Sequence, residues 1–372
     1  MKKLGFGLMR MPLTDPKDQK SVDIEQVCKM VDTFLAKGFT YFDTAYVYHS
    51  GDSERVAKKV LVDRYPRDSY TLATKLPMFL VDSYEKQEQL FNEQLEKCGV
   101  EFFDYYLLHA MSAENLKKAR EFDSFKFLLE KKAQGKIKNA GFSFHDTPEV
   151  LEEILTDFPE ADFVQLQINY LDWESANVQS HACYEVCVKH GKPVVVMEPI
   201  KGGTLAAVSD EIVNMFKAVR PELSPSAWAV RYAASLENVM VVLSGMSNIA
   251  QMEDNASYME NFEPLTKPEY EAIDKAVENI KANVAIPCTA CRYCVDGCPM
   301  NIAIPDYFRV YNDIKQFGEI SGARWHFSEI SGENGKPSEC VACGQCEGIC
   351  PQHLQIIDLL KNVAEVFETQ KK

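Results

Sequence analysis

Eight cysteines in the last quarter of the chain stand at spacings that suit iron–sulfur chemistry. The first run is Cys288-x-x-Cys291-x-x-Cys294-x-x-x-Cys298-Pro299, and the second is Cys340-x-x-Cys343-x-x-Cys346-x-x-x-Cys350-Pro351. Three cysteines at i, i+3 and i+6 wrap three corners of one cubane, and the fourth, beyond a proline-terminated turn, points toward the other cubane. On that logic Cys288, Cys291, Cys294 and Cys350 hold one [4Fe-4S] cluster, and Cys340, Cys343, Cys346 and Cys298 hold the second. Paired zinc sites are the competing reading. Zinc ribbons use pairs of Cys-x-x-Cys, whereas here a third and a fourth cysteine follow at fixed spacing, twice.

Both runs resemble the bacterial two-cluster ferredoxin pattern, with all eight ligand positions matched. The remaining cysteines, Cys28, Cys98, Cys183 and Cys187, are scattered through the first 280 residues. The shift in composition marks a boundary that divides the chain into residues 1–281 and 282–372. Twelve cysteines could signal disulfides in a secreted protein, but no apolar leader with a small-residue cleavage site follows Met1-Lys2-Lys3-Leu4-Gly5. The cytoplasm is the expected compartment. The net charge of −15, without any block of Lys or Arg, argues against nucleic acid and anionic membrane as partners. No apolar run approaches the roughly 20 residues that span a bilayer.

The elements that must position any chemistry in the first 281 residues alternate in type. Short β-rich runs are read at Gly5–Met9, Tyr41–Thr44, Tyr70–Thr74, Tyr105–His109, Ala140–Ser143, Phe163–Ile168, Pro193–Met197 and Val239–Ser244. Amphipathic helical stretches separate them, among them Asp23–Lys37, Asp82–Lys97, Ala113–Lys132, Pro148–Asp157 and Ser175–His190. Eight strands alternating with helices over this length predict a (β/α)₈ TIM barrel. A doubly wound open sheet is disfavoured, because no Gly-x-Gly-x-x-Gly follows the first strand. In the C-terminal part, helices are predicted at Pro305–Phe317 and Leu354–Thr369, giving an α-rich ferredoxin-like iron–sulfur domain. Residues 331–337 read as a turn-rich loop.

Three polar residues fall at the carboxyl ends of consecutive strands: Asp43, Lys75 and His109. In a barrel they converge on the face where active sites of this architecture lie. Together with Tyr48, five residues beyond Asp43, this ordered set resembles the aldo-keto reductase family over roughly residues 1–281. The resemblance implies hydride transfer between a nicotinamide and a carbonyl or alcohol. It makes Tyr48 the proton donor, Lys75 the cation beside it, Asp43 the anchor of Lys75, and His109 the group that orients the carbonyl. A free tyrosine titrates near pH 10, and a nearby ammonium is expected to favour the phenolate.

The same resemblance implies nucleotide contacts. Ser143 and Gln165 match positions that bind the nicotinamide carboxamide, and Met197 stands where many relatives stack an aromatic ring. Pro199-Ile200-Lys201-Gly202-Gly203 resembles the loop that passes over the pyrophosphate. Gly245, Ser247, Gln251, Asp254 and Asn255 resemble the adenosine-phosphate end. Gln251 replaces the arginine with which many relatives select NADPH, so NADH is as eligible as NADPH. At chain scale, the sequence is similar to aldo-keto reductases that carry a C-terminal ferredoxin domain.

The expected activity is therefore NAD(P)H-dependent interconversion of an aldehyde or ketone and its alcohol, with the clusters serving electron transfer or structure. The alternative is an iron–sulfur electron carrier that docks a redox protein, with the barrel as scaffold. His181, Cys183, Cys187 and His190 are read as buried cysteines and surface histidines rather than a metal site. Trp325, His326 and Phe327 are read as packing residues of the C-terminal domain.

Overall fold

The computed structural model describes residues 2–175, 178–283, 285–317 and 321–369. Its described residues cluster into two compact units: one comprises residues up to 175, 179–200 and 222–266, and the other contains 201–221 and the chain from 267 onward.

The first unit is built on eight parallel strands: β1 Leu4–Gly7, β2 Tyr41–Asp43, β3 Thr71–Pro77, β4 Phe103–Met111, β5 Ile137–Phe144, β6 Phe163–Gln167, β7 Val194–Met197 and β8 Val239–Ser244. They pair in sequence order and close, with Leu4 opposite Val242 between β1 and β8. Parallel strands covered on both faces require near-continuous apolar runs, and Val194-Val195-Val196 of β7 is fully buried. Tyr41, Ala73, Leu107, Phe163, Val195, Val241 and Leu243 cluster from β2, β3, β4, β6, β7 and β8, so the interior is packed rather than a pore. Gly141 on β5 makes room for this filling, since a Cβ there would lie 2.4 Å from the Phe163 carbonyl oxygen.

Helices cover the barrel, and their starts obey the capping rule that short polar side chains accept from free amide groups. Asp23 accepts from the Gln26 N–H (3.0 Å) to open Ile24–Ala36, and Ser83 from the Lys86 N–H (3.1 Å) to open Tyr84–Cys98. The stretch predicted as one helix over Ala113–Lys132 is two, Ala113–Glu121 and Ser124–Ala133. Asp123 between them is left-handed (φ 53°), which no continuous helix accommodates.

The second unit contains helices Asp210–Lys217, Lys267–Asn283, Ile304–Phe317, Ser321–Glu333 and Ile356–Phe367, with one-turn helices at Tyr293–Asp296 and Gln345–Gly348. The predicted turn-rich segment at 331–337 begins inside Ser321–Glu333, because Phe327 anchors that helix by stacking on Phe367 at 4.6 Å and 1°. Trp325 does not pack as expected and is 58% exposed. The core of this part, including Ile302, Tyr307, Phe308, Val310, Leu360 and Val363, is much smaller than that of the barrel.

Candidate functional site

In the first unit, parallel register brings Asp43, Lys75 and His109 to the same end of adjacent strands. Asp43 lies opposite Ala73, two residues before Lys75, and His109 lies opposite Pro77. The Lys75 ammonium is fully buried and donates to Asp43 Oδ1 (2.7 Å), to the Thr44 carbonyl (2.8 Å) and, at 3.5 Å, to the Tyr48 hydroxyl. It also lies 5.0 Å from the Tyr48 ring centroid, and the His109 ring meets Tyr48 edge-on at 6.2 Å. The four residues singled out from sequence are thus one contiguous group.

Burial governs the electrostatics of this group. It pushes the Asp43 carboxyl up and the Lys75 ammonium down, and the charge of each opposes the shift of the other. Burial also holds His109 well below the ordinary histidine range, with Lys75 and His145 adding to the effect, so the ring is neutral. The Tyr48 phenol moves opposite to the expectation. Its burial, then the negative charges of Asp43 and Glu198, raise it well above 10, and Arg10 opposes this only in part. The carboxylate of Asp43 engages Lys75 directly, which limits how much of that positive charge reaches the phenol.

Behind the group lies a buried polar network not foreseen from sequence. Glu54, fully buried, accepts from Thr74 Oγ1 (2.7 Å) and Gln94 Nε2 (2.6 Å). Gln94 also donates to the Lys75 carbonyl (3.0 Å) and accepts from the Tyr106 hydroxyl (2.6 Å). Nothing in Ser53-Glu54-Arg55 marks this acid as buried; the packing turns it inward. Phe79, 47% exposed, places its ring 6.2 Å from His109.

Ser143 and Gln165 are register partners on β5 and β6, and both are buried. Ser143 Oγ accepts from the Ala110 N–H (2.8 Å), while Gln165 Nε2 approaches Met197 Sδ at 3.4 Å. Gln165 Oε1 has no hydrogen-bond partner, leaving a buried acceptor that fits the amide N–H of a nicotinamide carboxamide. Pro199 follows two residues after β7. After β8, Gly245 packs on Arg10, and Ser247 Oγ donates to the Arg10 carbonyl (2.8 Å). The side chain of Gln251 folds back to accept from the Ser247 N–H (2.7 Å). Asp254 accepts from Ser224 and Ser226, and Asn255 is held between Ser244 and Tyr258.

In the second unit the eight thiols line two cavities. One is lined by Cys288, Cys291, Cys294 and Cys350. The other is lined by Cys298, Cys340, Cys343 and Cys346. Each cavity therefore combines three cysteines of one run with the fourth of the other, and all eight are free thiols. Among the described residues, no three His, Cys, Asp or Glu side chains are spaced to hold a single ion. Four cysteines around one cavity fit a four-iron cluster. Burial pushes the Cys288 thiol up to about 11, with Cys291 and Cys350 contributing further.

Lys201 and Gly202 belong to this second unit: Lys201 donates to Gln352 Oε1 (2.8 Å), and Gly202 packs on Thr289. Gly203 adopts φ 107°. Among the described residues, the four discounted side chains share no hydrogen-bond partner. His181 pairs with Glu174 (2.9 Å) and stacks on Trp173, His190 pairs with Glu152 (2.9 Å), and Cys183 and Cys187 are buried.

The profile of the aldo/keto reductase family matches residues 3–278, and that of the 4Fe-4S dicluster domain matches residues 287–355. An aldo-keto reductase of Mycobacterium avium (strain 104) is 23% identical over 275 residues, covering 73% of this chain and 84% of its own. A 9,11-endoperoxide prostaglandin H2 reductase of Trypanosoma cruzi (strain CL Brener) is 22% identical over 271 residues, covering 73% and 89%. Among solved structures, the holo form of an aldo-keto reductase from Bacillus halodurans superposes with a TM-score of 0.60 at 22% identity, covering 74% of this chain and 91% of that one. An aldo-keto reductase from Klebsiella pneumoniae in complex with NADPH gives 0.57 at 19% identity, covering 73% and 90%. Among the described residues, no helix is long and apolar enough to cross a membrane.

Proposed function

The chain belongs to the aldo/keto reductase family and carries a 4Fe-4S dicluster domain, and from that premise we propose that Asp43, Tyr48, Lys75 and His109 interconvert a small carbonyl compound and its alcohol with NAD(P)H. The observation that carries the reading is the buried ammonium of Lys75, which bridges Asp43 at 2.7 Å and Tyr48 at 3.5 Å. When bound, the dinucleotide supplies a hydride to the carbonyl carbon, and each cluster exchanges single electrons.

The rest follows from the side chains. Tyr48, raised above its ordinary range by burial and Asp43, stays protonated at neutral pH and is ready to donate to the oxygen as negative charge develops there. Lys75 holds the phenol and supplies a positive charge that needs no reorganisation, because Asp43 and the Thr44 carbonyl fix it. His109, neutral by burial, orients the carbonyl without adding a second cation. Ser143 and Gln165 hold the nicotinamide amide, with Met197 packed against Gln165. The NADPH of the Klebsiella pneumoniae relative and the inward-folded Gln251 support use of either dinucleotide. Cys288, Cys291, Cys294 and Cys350 hold one cluster, and Cys298, Cys340, Cys343 and Cys346 the other.

The test is anaerobic turnover of short aldehydes and ketones with NADPH and NADH, for the native protein and Tyr48→Phe. Loss of the proton donor is expected to lower turnover by roughly 10² to 10⁴-fold, with nucleotide Kd unchanged. Full activity in the variant would remove Tyr48 from the chemistry.

A further inference from the structure

Both ends of the Lys75 side chain are held from one short helix, Ser53–Ala57. Thr74 and Lys75 are neighbours on β3, so their side chains leave the strand on opposite faces. Lys75 turns toward Asp43 and Tyr48, while the Thr74 hydroxyl donates to Glu54 Oε1 at 2.7 Å. Gln94, from the helix Tyr84–Cys98, donates through Nε2 to Glu54 Oε1 (2.6 Å) and to the carbonyl of Lys75 itself (3.0 Å). Its own Oε1 accepts from the Tyr106 hydroxyl at 2.6 Å. The far end of the lysine is held by the residue next to Glu54. The ammonium donates to the Thr44 carbonyl at 2.8 Å, and Thr44 Oγ1 shares a 2.8 Å hydrogen bond with Ser53 Oγ. Thr44, Ser53, Glu54, Thr74 and Gln94 are all wholly buried, so water does not compete for these bonds.

Only residues 49–52 separate this helix from Tyr48. His49 and Ser50 are left-handed, each at φ 51°, and Gly51 follows at 85°. Residues with side chains keep such angles only where the surroundings over-determine them. Anchors stand on both sides of the turn: His49 Nδ1 lies 2.9 Å from the Gln19 carbonyl, and Ser53 and Glu54 hold Thr44 and Thr74. One segment therefore carries both the phenol and the contacts that place its cation. Among the influences on Lys75, the charge of Glu54 comes last, after burial and Asp43. Hydrogen bonding, rather than charge, is what Glu54 brings to the site.

We propose that Glu54 is a positioning residue for the reaction: its hydrogen bonds to Thr74 and Gln94 fix the reach of the Lys75 ammonium to the Tyr48 hydroxyl. The inference rests on the roles given above to Tyr48 and Lys75. Glu54 touches neither substrate nor nucleotide and acts only through Lys75. An ammonium held close favours the phenolate, so a loosened Lys75 leaves Tyr48 a poorer proton donor in carbonyl reduction. In alcohol oxidation the phenolate is the base, and its formation then requires a higher pH.

The experiment compares the native protein with Glu54→Leu, Glu54→Gln and Thr74→Val, in anaerobic carbonyl reduction and in alcohol oxidation across pH. Leucine fills the space of Glu54 but accepts no hydrogen bond. With it kcat should fall by about 10²-fold, the cost of misplacing a reacting group by roughly 1 Å, while KM and nucleotide Kd hold. The pH at which alcohol oxidation sets in should rise. Glutamine keeps the acceptor and should restore both readouts. Thr74→Val removes one donor alone, should move both in the direction of leucine, and carries the test if Glu54→Leu fails to fold. Native kcat and native onset pH in a folded Glu54→Leu or Thr74→Val would overturn the inference. A lower kcat with an unmoved onset pH would also overturn it, as the mark of general loosening. So would a Glu54→Gln as impaired as Glu54→Leu, which would make charge the agent. Tyr48→Phe, run alongside, separates two failures. Full activity there takes down the reading of the site, whereas an impaired Tyr48→Phe beside an unimpaired Glu54→Leu takes down Glu54 alone.

Discussion

In the barrel, Asp43, Lys75 and His109 ride on the ends of hydrogen-bonded strands whose core is complete without any cofactor, and Lys75 is fixed by two acceptors from the protein itself. In the second unit, the thiols sit mostly on irregular backbone. Ala290, Arg292 and Ala342, flanking Cys291 and Cys343, are all left-handed, with φ of 52°, 67° and 54°. Non-glycine residues in that conformation each cost of order 1–3 kcal/mol. The core beside them is small. The barrel site is thus ordered by its scaffold, whereas the cysteine segments are expected to draw their order from what the thiols bind, as metal affinity becomes folding free energy.

The largest test of this contrast is removal of the iron by anaerobic chelation. Amide exchange in 288–298 and 340–350 should rise to that of an open chain, while β1 to β8 stay protected and the barrel still binds nucleotide. Opening of the strands along with the cysteine segments would break the distinction. Next in size is Lys75→Met, which leaves the Asp43 carboxylate buried without its partner. Stability should fall by about 3–5 kcal/mol, read by denaturant titration as a lower midpoint, with iron content unaltered. A variant as stable as the native protein would show that Asp43 simply neutralises at little cost.

The smallest effect is a pH dependence. The folded-state pKa of His109 lies below its unfolded value of 6.5, so the unfolded chain binds the extra proton first. Its penalty is absent above pH 6.5 and grows as pH falls below it, by up to about 1.4 kcal/mol per pH unit. His49 is depressed by burial as well, while Asp43 and Glu54 are raised and act with the opposite sign at lower pH. The difference between the native protein and His109→Gln isolates one histidine. It should appear as a shallower acid slope in the variant between pH 5 and 6.5, and equal slopes would mean that His109 takes up its proton while folded.

All eight strands were legible, because buried parallel strands are written as short apolar runs, although β4 extends beyond its expected ends to Phe103 and Met111. The ordered positions of Asp43, Lys75 and His109 were legible for the same reason: a polar residue ending an apolar strand stands out. The direction of the Tyr48 shift was not, because a sequence displays the neighbouring cation but not the depth of burial that outweighs it. Glu54 was hidden likewise, its partners Thr74 and Gln94 lying 20 and 40 residues away. In the second unit the cysteine spacing carried the pairing across the two cavities, but Ser321–Glu333 was masked by a glycine-rich end and depends on the stacking of Phe327 on Phe367.

The exchange of fourth cysteines between the two cavities has a consequence for synthesis. A chain emerging from the ribosome exposes Cys288, Cys291 and Cys294 early, yet the cavity they line stays open at one side until Cys350 follows. Cys298 in turn waits for Cys340, Cys343 and Cys346. The cysteines of one cavity are complete at Cys346 and those of the other only four residues later at Cys350, so the two are expected to mature together, after the strands of the barrel have already left the exit tunnel. A premature stop between 299 and 339 would leave only four of these eight cavity-lining thiols and neither cavity whole.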